Sequence, residues 1–202
     1  MHQHDASQWQ EHFTPLLEHY DFHLAEHFRA NYVPLYWIMR LEGAILEVGC
    51  GSARGAILAK RLNPTRRVVA VDIDENVCKI AAKYAELAQA DIEVQQADMF
   101  NLPFKDNEFF VAFSSGLLEH YSNEDIVRGL HEQLRVAGYV LVDVPTNLYY
   151  IQRGGLDYGD ERQVSKSEWL YVFASSGQIV ELSFVGKPPE ETGMTVLLAK
   201  KQ

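Results

Sequence analysis

Cysteine is scarce. Cys50 and Cys78 are the only two in 202 residues, too few for a disulfide framework, so a reducing cytoplasm is the expected location. Long apolar runs are missing too. None reaches the roughly 18 residues of a membrane span, and the opening MHQHDASQWQ has no basic-then-apolar leader pattern. A soluble chain with no membrane partner is therefore expected. Basic charge is in deficit: Lys and Arg total 18 against 28 Asp and Glu, for a net charge of −10. Such a chain repels phosphate backbones at long range, which argues against a nucleic-acid partner. Lys60, Arg61, Arg66 and Arg67 make a local basic patch, read as the solvated end of a helix and the turn after it. No internal repeat and no low-complexity segment occurs.

What remains is an ordinary globular composition, 47% hydrophobic and 23% charged. The length suits one domain with a full core, and two independent domains would be a tight fit. Residues 1–42 differ from the rest. They carry six of the eight histidines and many aromatics, from Trp9 to Trp37. Leu16, Leu17, Tyr20, Leu24 and Phe28 recur at helical spacing, with Thr14 as a candidate cap and Pro15 in the first turn. Asn31 and Pro34 break this pattern, and a second short helix is expected to follow as far as Arg40. This segment reads as an N-terminal helical cap on a domain spanning 43–202.

From Ala44 strands and helices alternate. Strands are expected at Ala44–Val48, Arg67–Val71, Asp91–Gln95, Phe109–Ser114 and Tyr139–Val144. Helices are expected over 53–62, over Glu75–Leu87 and from the Ser122 cap to about Arg135. Residues 146–164 read as a long connection. Ser165 and Glu168 form a capping box for a helix through Ala174. Ile179–Val185 and Met194–Lys200, joined across Gly186-Lys187-Pro188-Pro189, suggest an antiparallel edge pair. The alternation predicts an α/β, doubly wound, mostly parallel sheet that binds ligands outside the carboxyl ends of its strands.

The first strand runs into glycines: residues 45–55 read ILEVGCGSARG. The spacing G-x-G-x-x-x-G is one residue longer than a dinucleotide fingerprint. Glu47 at the strand end would be a poor neighbour for a pyrophosphate, and it would suit a cation. Asp72 closes VVAVD at the usual place for an acid that accepts ribose hydroxyls. Asp98, in QQADMF, could accept from an adenine amino group. These residues describe an adenosine that carries a positive group and no phosphate.

ILEVGCGSARG, VVAVDID, QQADMFNLPF, FFVAFSSGLLEHY and LRVAGYVLVDVP, taken in order, resemble the class I S-adenosylmethionine-dependent methyltransferases over roughly residues 44–200. The resemblance implies a seven-stranded sheet of order 3-2-1-4-5-7-6 with strand 7 antiparallel. It implies S-adenosyl-L-methionine as cofactor. Glu47, Gly49, Cys50 and Gly51 would hold its methionine part, Asp72 its ribose, and Ile73 would pack on the adenine. Asp98 and Met99 would meet the adenine edge. Ser114, Ser115 and Leu117 would lie beneath the methionine and sulfonium. Gly55 is read as a helix-packing glycine.

Methyl transfer is an in-line displacement with a neutral leaving group. Positioning and desolvation therefore dominate, and a general base is needed only for a protonated, poorly acidic nucleophile. His120 and Tyr121 follow the fourth strand and are the candidate catalytic pair, with His120 as a possible base. The alternative is that Glu119 and His120 only shape the loop. Tyr149, Tyr150 and Tyr158 either wall the acceptor pocket or simply pack. His23-Leu24-Ala25-Glu26-His27 matches an H-x-x-E-H string, and His19 would share its helix face, but with no third ligand evident no metal site is expected. The same helix is expected to lie over the cofactor cleft as a lid. The expected activity is methyl transfer to a small-molecule acceptor. Ser114-Ser115-Gly116-Leu117 lacks the Asn/Asp-Pro-Pro-aromatic string of DNA amino-methylating enzymes. Competing readings are a non-catalytic S-adenosylmethionine-binding partner subunit and an NAD-dependent oxidoreductase.

Overall fold

The computed structural model describes residues 6–30, 32–156, 160–186 and 189–201. Its seven strands form one sheet in the order β3-β2-β1-β4-β5-β7-β6. These strands are β1 Ile45–Val48, β2 Val68–Asp72, β3 Glu93–Gln96, β4 Phe109–Ser115, β5 Ala137–Pro145, β6 Gln178–Val185 and β7 Gly193–Ala199. β7 runs antiparallel to both β5 and β6, while the other assigned pairs are parallel. The expected order and the reversed seventh strand are both present. The chain divides into two compact units, residues 1–103 and 104–202.

In the first unit, β1 and β2 are apolar along nearly their whole length and buried, as parallel strands covered on both faces must be. β3, reading EVQQ, is mostly exposed and forms the edge. Helix α4 (Arg54–Leu62) buries Ala56, Ile57 and Ala59, and α5 (Glu75–Leu87) buries Val77, Ile80, Ala81 and Tyr84. Asp74 is the N-cap of α5, and its Oδ1 accepts from the amides of Asn76 at 2.7 Å and Val77 at 3.4 Å.

The N-terminal segment departs from its expected pattern. Helix α1 (Ala6–Phe13) precedes a 3₁₀ turn at Thr14–Leu17, and α2 begins only at Tyr20 and runs to Ala30. The periodic run from Leu16 to Phe28 is therefore not one helix. His19, at φ +60°, interrupts it in the left-handed region. Thr14 does not cap α2, because its hydroxyl donates back to Gln10 O at 2.7 Å. The second short helix is present as α3 (Tyr32–Arg40), with Pro34 in its first turn. Asn31 lies outside the described residues. Helices α2 and α3 pack on α4, and α1 packs on α5. The Tyr84 hydroxyl donates to Tyr20 O at 2.6 Å and ties α5 to the start of α2. Burial first, then the Arg54 charge, lowers His27 on α2 to a pKa of about 3.

In the second unit, α6 (Asn123–Val136) starts at Ser122, whose hydroxyl accepts from Asp125 N at 3.1 Å. Helix α8 (Lys166–Ser176) starts at Ser165. Only half of the expected box forms there. Glu168 N donates to Ser165 Oγ at 3.3 Å, while the Glu168 carboxylate accepts from Arg162 at 2.7 Å and Asn123 at 3.1 Å. The connection after β5 contains α7 (Asn147–Arg153), a helix the sequence pattern did not indicate. Trp169 and Phe173 stack in the core at 5.4 Å, and Trp169 donates its indole N–H to Pro145 O at 2.8 Å. Lys187 and Pro188, expected in the turn between the last two strands, and Tyr158 lie outside the described residues. No described helix is long and apolar enough to cross a membrane.

Candidate functional site

The turn after β1 is the most constrained stretch of the first unit. Gly49, Gly51 and Ala53 all have positive φ, at +66°, +52° and +55°. The chain zigzags through left-handed residues and turns its amides inward. Cys50 N donates to Val71 O at 2.9 Å, extending the ladder, and Ala53 N donates to Cys50 O at 2.7 Å. Ala53 cannot cap α4 with a side chain. Glu47 does so instead: its Oε2 accepts from Ala56 N at 2.8 Å. Glu47 therefore satisfies a helix-terminal amide that would otherwise be orphaned. Its burial raises its pKa to about 8; the Ala56 bond and Arg54 oppose the rise, and Asp72 adds to it.

Asp72, at the tip of β2, grips two loops. Oδ2 accepts from Gly51 N at 3.0 Å and Oδ1 from Asp74 N at 3.1 Å. Burial raises its pKa, and these bonds partly restore it. Asp72 does not cap α5, since Asp74 has that position. Ile73 beside it is 59% exposed, an apolar surface at the sheet edge. Asp98 follows β3, with Oδ1 accepting from Phe100 N at 2.9 Å, and Met99 is buried. Cys50 and Cys78 flank the turn as buried, free thiols. Their sulfurs lie 3.7 Å from Gly51 O and 3.6 Å from Asp72 O. Burial pushes both thiols up, Cys78 to about 11, so neither supplies a thiolate near neutral pH.

One side chain that sequence reasoning did not single out belongs here. A Cβ built on Gly51 would lie 2.4 Å from Phe13 Cζ. The ring of Phe13, at the end of α1, therefore rests on the bare backbone of the second glycine. No pattern in the sequence marks that contact.

The second unit has its own strand tips. β4 carries Ser114, which is buried, and Ser115. Asp143, near the end of β5, accepts from Thr195 Oγ1 at 2.6 Å and Ser115 Oγ at 3.3 Å, and burial raises its pKa. Gly116 follows at φ +66°, with its amide donating to Asp143 O at 3.3 Å. Leu117 leads into a 3₁₀ turn at Leu118–His120. Within that turn Glu119 is buried and its Oε2 has no hydrogen-bond partner among the described residues. Burial, with Asp143, Glu161 and Asp160 adding repulsion, raises Glu119 to about 8. His120 is buried, with Nδ1 3.0 Å from Asp160 Oδ1. Tyr121 O accepts from Arg162 at 2.7 Å. Tyr149 and Tyr150 lie on α7. Tyr150 is buried and Tyr149 accepts from Arg153 at 2.8 Å, so both are engaged in packing. Asp143 and Asp160 were not singled out from sequence. Asp143, in VLVDVP, had the same strand-tip signal as Asp72, whereas Asp160 had none.

His19, at φ +60°, precedes α2 and does not share its face with His23 and His27. Among the described residues no group of three His, Cys, Asp or Glu is arranged to hold a metal.

The first unit's residues fit a sulfonium nucleoside. A cation beside Glu47 would offset the burial that keeps its carboxyl protonated, Asp72 keeps unused lone pairs beside its two amides, and Ile73 offers an apolar face. The Phe13 ring over Gly51 does not match an open cradle.

Comparison with known proteins agrees with this reading. The family described as a methyltransferase domain matches residues 45–138. A demethylmenaquinone methyltransferase of Staphylococcus carnosus is 36% identical over 93 residues, 45% of this chain and 37% of that protein. A ribosomal protein L11 methyltransferase of Thermotoga neapolitana is 31% identical over 128 residues, 62% of this chain and 47% of that protein. The chain thus spans less than half the length of these curated relatives. Among solved structures, the PH0226 protein of Pyrococcus horikoshii superposes with a TM-score of 0.74 at 17% identity, over 88% of this chain and 91% of that one. Magnesium protoporphyrin IX methyltransferase of Synechocystis, solved with bound S-adenosylhomocysteine, gives 0.68 at 15% identity, over 87% and 84%. Residues 45–138 thus match the methyltransferase-domain family, and the sheet order with its reversed seventh strand is that of the class I, Rossmann-like methyltransferase fold.

Proposed function

We propose that this chain binds S-adenosylmethionine on its first unit and transfers the methyl group to a small-molecule acceptor. The observation that carries the reading is the Asp72 carboxylate at the β2 tip, fixed by Gly51 N and Asp74 N above the buried Glu47. When bound, S-adenosylmethionine supplies a methyl carbon activated by a sulfonium, with a neutral thioether as the leaving group.

The chain's own residues have the following tasks. Asp72 holds the ribose hydroxyls, and the two backbone amides keep its carboxylate in place. Gly49, Cys50 and Gly51 present backbone to the methionine part, and Glu47 supplies the opposite charge for its ammonium once that cation drives off the proton that burial keeps on the carboxyl. Ile73 covers the adenine, with Asp98 and Met99 at its edge. Ser114, Ser115 and Leu117 are assigned to the methionine end from the family resemblance. His120 is the candidate base, oriented by Asp160 at 3.0 Å, and Tyr121 stands next to it in the chain. Helices α2 and α3, packed on α4 just after the cofactor turn, are assigned to shielding it from water.

Relatives named for quinone methylation support a small-molecule acceptor, while those named for ribosomal protein L11 keep a protein acceptor as the rival. Titration calorimetry with S-adenosylmethionine and S-adenosylhomocysteine, followed by a radiolabelled methyl-transfer screen, tests the proposal. Binding plus transfer to a metabolite pool is expected. Binding with transfer to no metabolite or protein fraction would favour a non-catalytic partner subunit. Binding of NADH in place of either ligand would overturn the cofactor assignment.

A further inference from the structure

We propose that Phe13 gates the glycine turn: its ring holds the place against Gly51 that a ligand of this turn must take, so ligand binding competes with docking of α1. The proposal rests on the cofactor reading above and adds a switch to it.

A glycine at a ligand turn lets something approach the backbone closely. At Gly51, φ +52°, the closest group in that direction is the leading edge of the Phe13 ring. A built Cβ would meet Cζ at 2.4 Å, Cε1 at 2.8 Å and Cε2 at 3.0 Å. Three ring carbons this close leave no layer for a second molecule between ring and backbone. The ring is held by its neighbours. Trp9 stacks on it at 6.1 Å, His12 meets it edge-on at 4.8 Å, and α1 lies against α5. Helix α5 begins at Asp74, whose amide is bound by Asp72. The gate and the ribose acid therefore act on one loop system.

The docking is also light enough to open. Helix α1 has eight residues, a length that is marginal in water without its packing. Trp9, His12 and Phe13 are only half-buried. Docking of the ring lowers the apparent affinity in proportion to the fraction of molecules with the turn free, and removing the ring removes that factor. Neither step touches Asp72 or Glu47, so the gate is separable from the binding groups.

The test is calorimetric titration of S-adenosylhomocysteine into the wild-type chain, Phe13→Ala and Phe13→Leu. It is paired with hydrogen exchange of residues 6–17 in wild type with and without ligand. The gate predicts that Phe13→Ala binds at least about fivefold more tightly, with Phe13→Leu in between, and that α1 amides exchange faster in the complex. Equal or weaker binding by Phe13→Ala, or slower exchange of α1 in the complex, would overturn it, the latter two showing a ring that closes over the ligand. Absence of binding in all three proteins would remove the cofactor reading and the gate together.

Discussion

The strand tips of the two units solve one electrostatic problem in different ways. Both bury carboxyl groups where a sheet ends. In the first unit those groups are held by backbone amides: Glu47 by Ala56 N, Asp72 by Gly51 N and Asp74 N. In the second they are held by side chains distant in sequence. Asp143 is held by Ser115 and Thr195, and His120 is paired with Asp160, while Glu119 Oε2 has no partner among the described residues. Backbone amides are set by the local turn and do not rotate away, so the first unit is preorganised. Side-chain pairs depend on several elements arriving together, so the second unit can readjust around whatever it meets. A fixed cradle suits a cofactor common to many reactions, and an adjustable one suits a variable acceptor.

The largest expected effect tests what this burial costs. Glu47 and Glu119 both titrate near 8 in the folded chain, against an ordinary 4.5. Between those values the unfolded chain has released both protons and the folded chain still holds them. Folding stability should therefore fall as pH rises from about 4.5 to about 8, by up to about 5 kcal/mol per group. Glu47→Gln and Glu119→Gln should each flatten that fall in denaturant titrations run across the window. An unchanged slope in both would mean the carboxyls are solvated. His27, lowered to about 3, acts oppositely, costing stability as pH drops from 6.5.

The second effect sharpens the role of the glycine turn. Gly51→Ala places a Cβ at φ +52° and 2.4 Å from Phe13. It should cost about 1–2 kcal/mol for the left-handed backbone plus the overlap with the ring. In a Phe13→Ala background the overlap part should vanish, which a double-mutant cycle by urea unfolding reads directly.

Third, Thr195→Val removes the hydroxyl 2.6 Å from Asp143. It should cost about 1–3 kcal/mol because a buried acid loses a donor. A neutral result would show that Asp143 finds another partner, which is the adjustability claimed for this unit. The smallest effect belongs to Asp74→Ala in the first unit, a lost N-cap worth about 1 kcal/mol in thermal unfolding.

The same contrast explains what the sequence revealed. Glu75–Leu87 and the Ser122 cap were legible because capping and periodicity act within a few residues. The glycine turn and Asp72 were legible because strand-turn-helix chemistry is local. Asp160 was not, because its partner lies 40 residues away. Phe13 was not, because nothing local ties α1 to a glycine 38 positions later. The break between the 3₁₀ turn and α2 was hidden by reading Leu16 to Phe28 as one stripe across the left-handed residue His19. Helix α7 was not legible because it has only seven residues, too few for a helical period to stand out.

The central claim is that acids on the first unit's strand tips bind a sulfonium nucleoside. Calorimetric titration of S-adenosylhomocysteine into wild type and Asp72→Ala tests it most directly. The account predicts measurable binding by wild type and a loss of about 10- to 100-fold in the variant, the worth of a charged hydrogen bond plus the amides it orders. Equal affinities in the two proteins would contradict it.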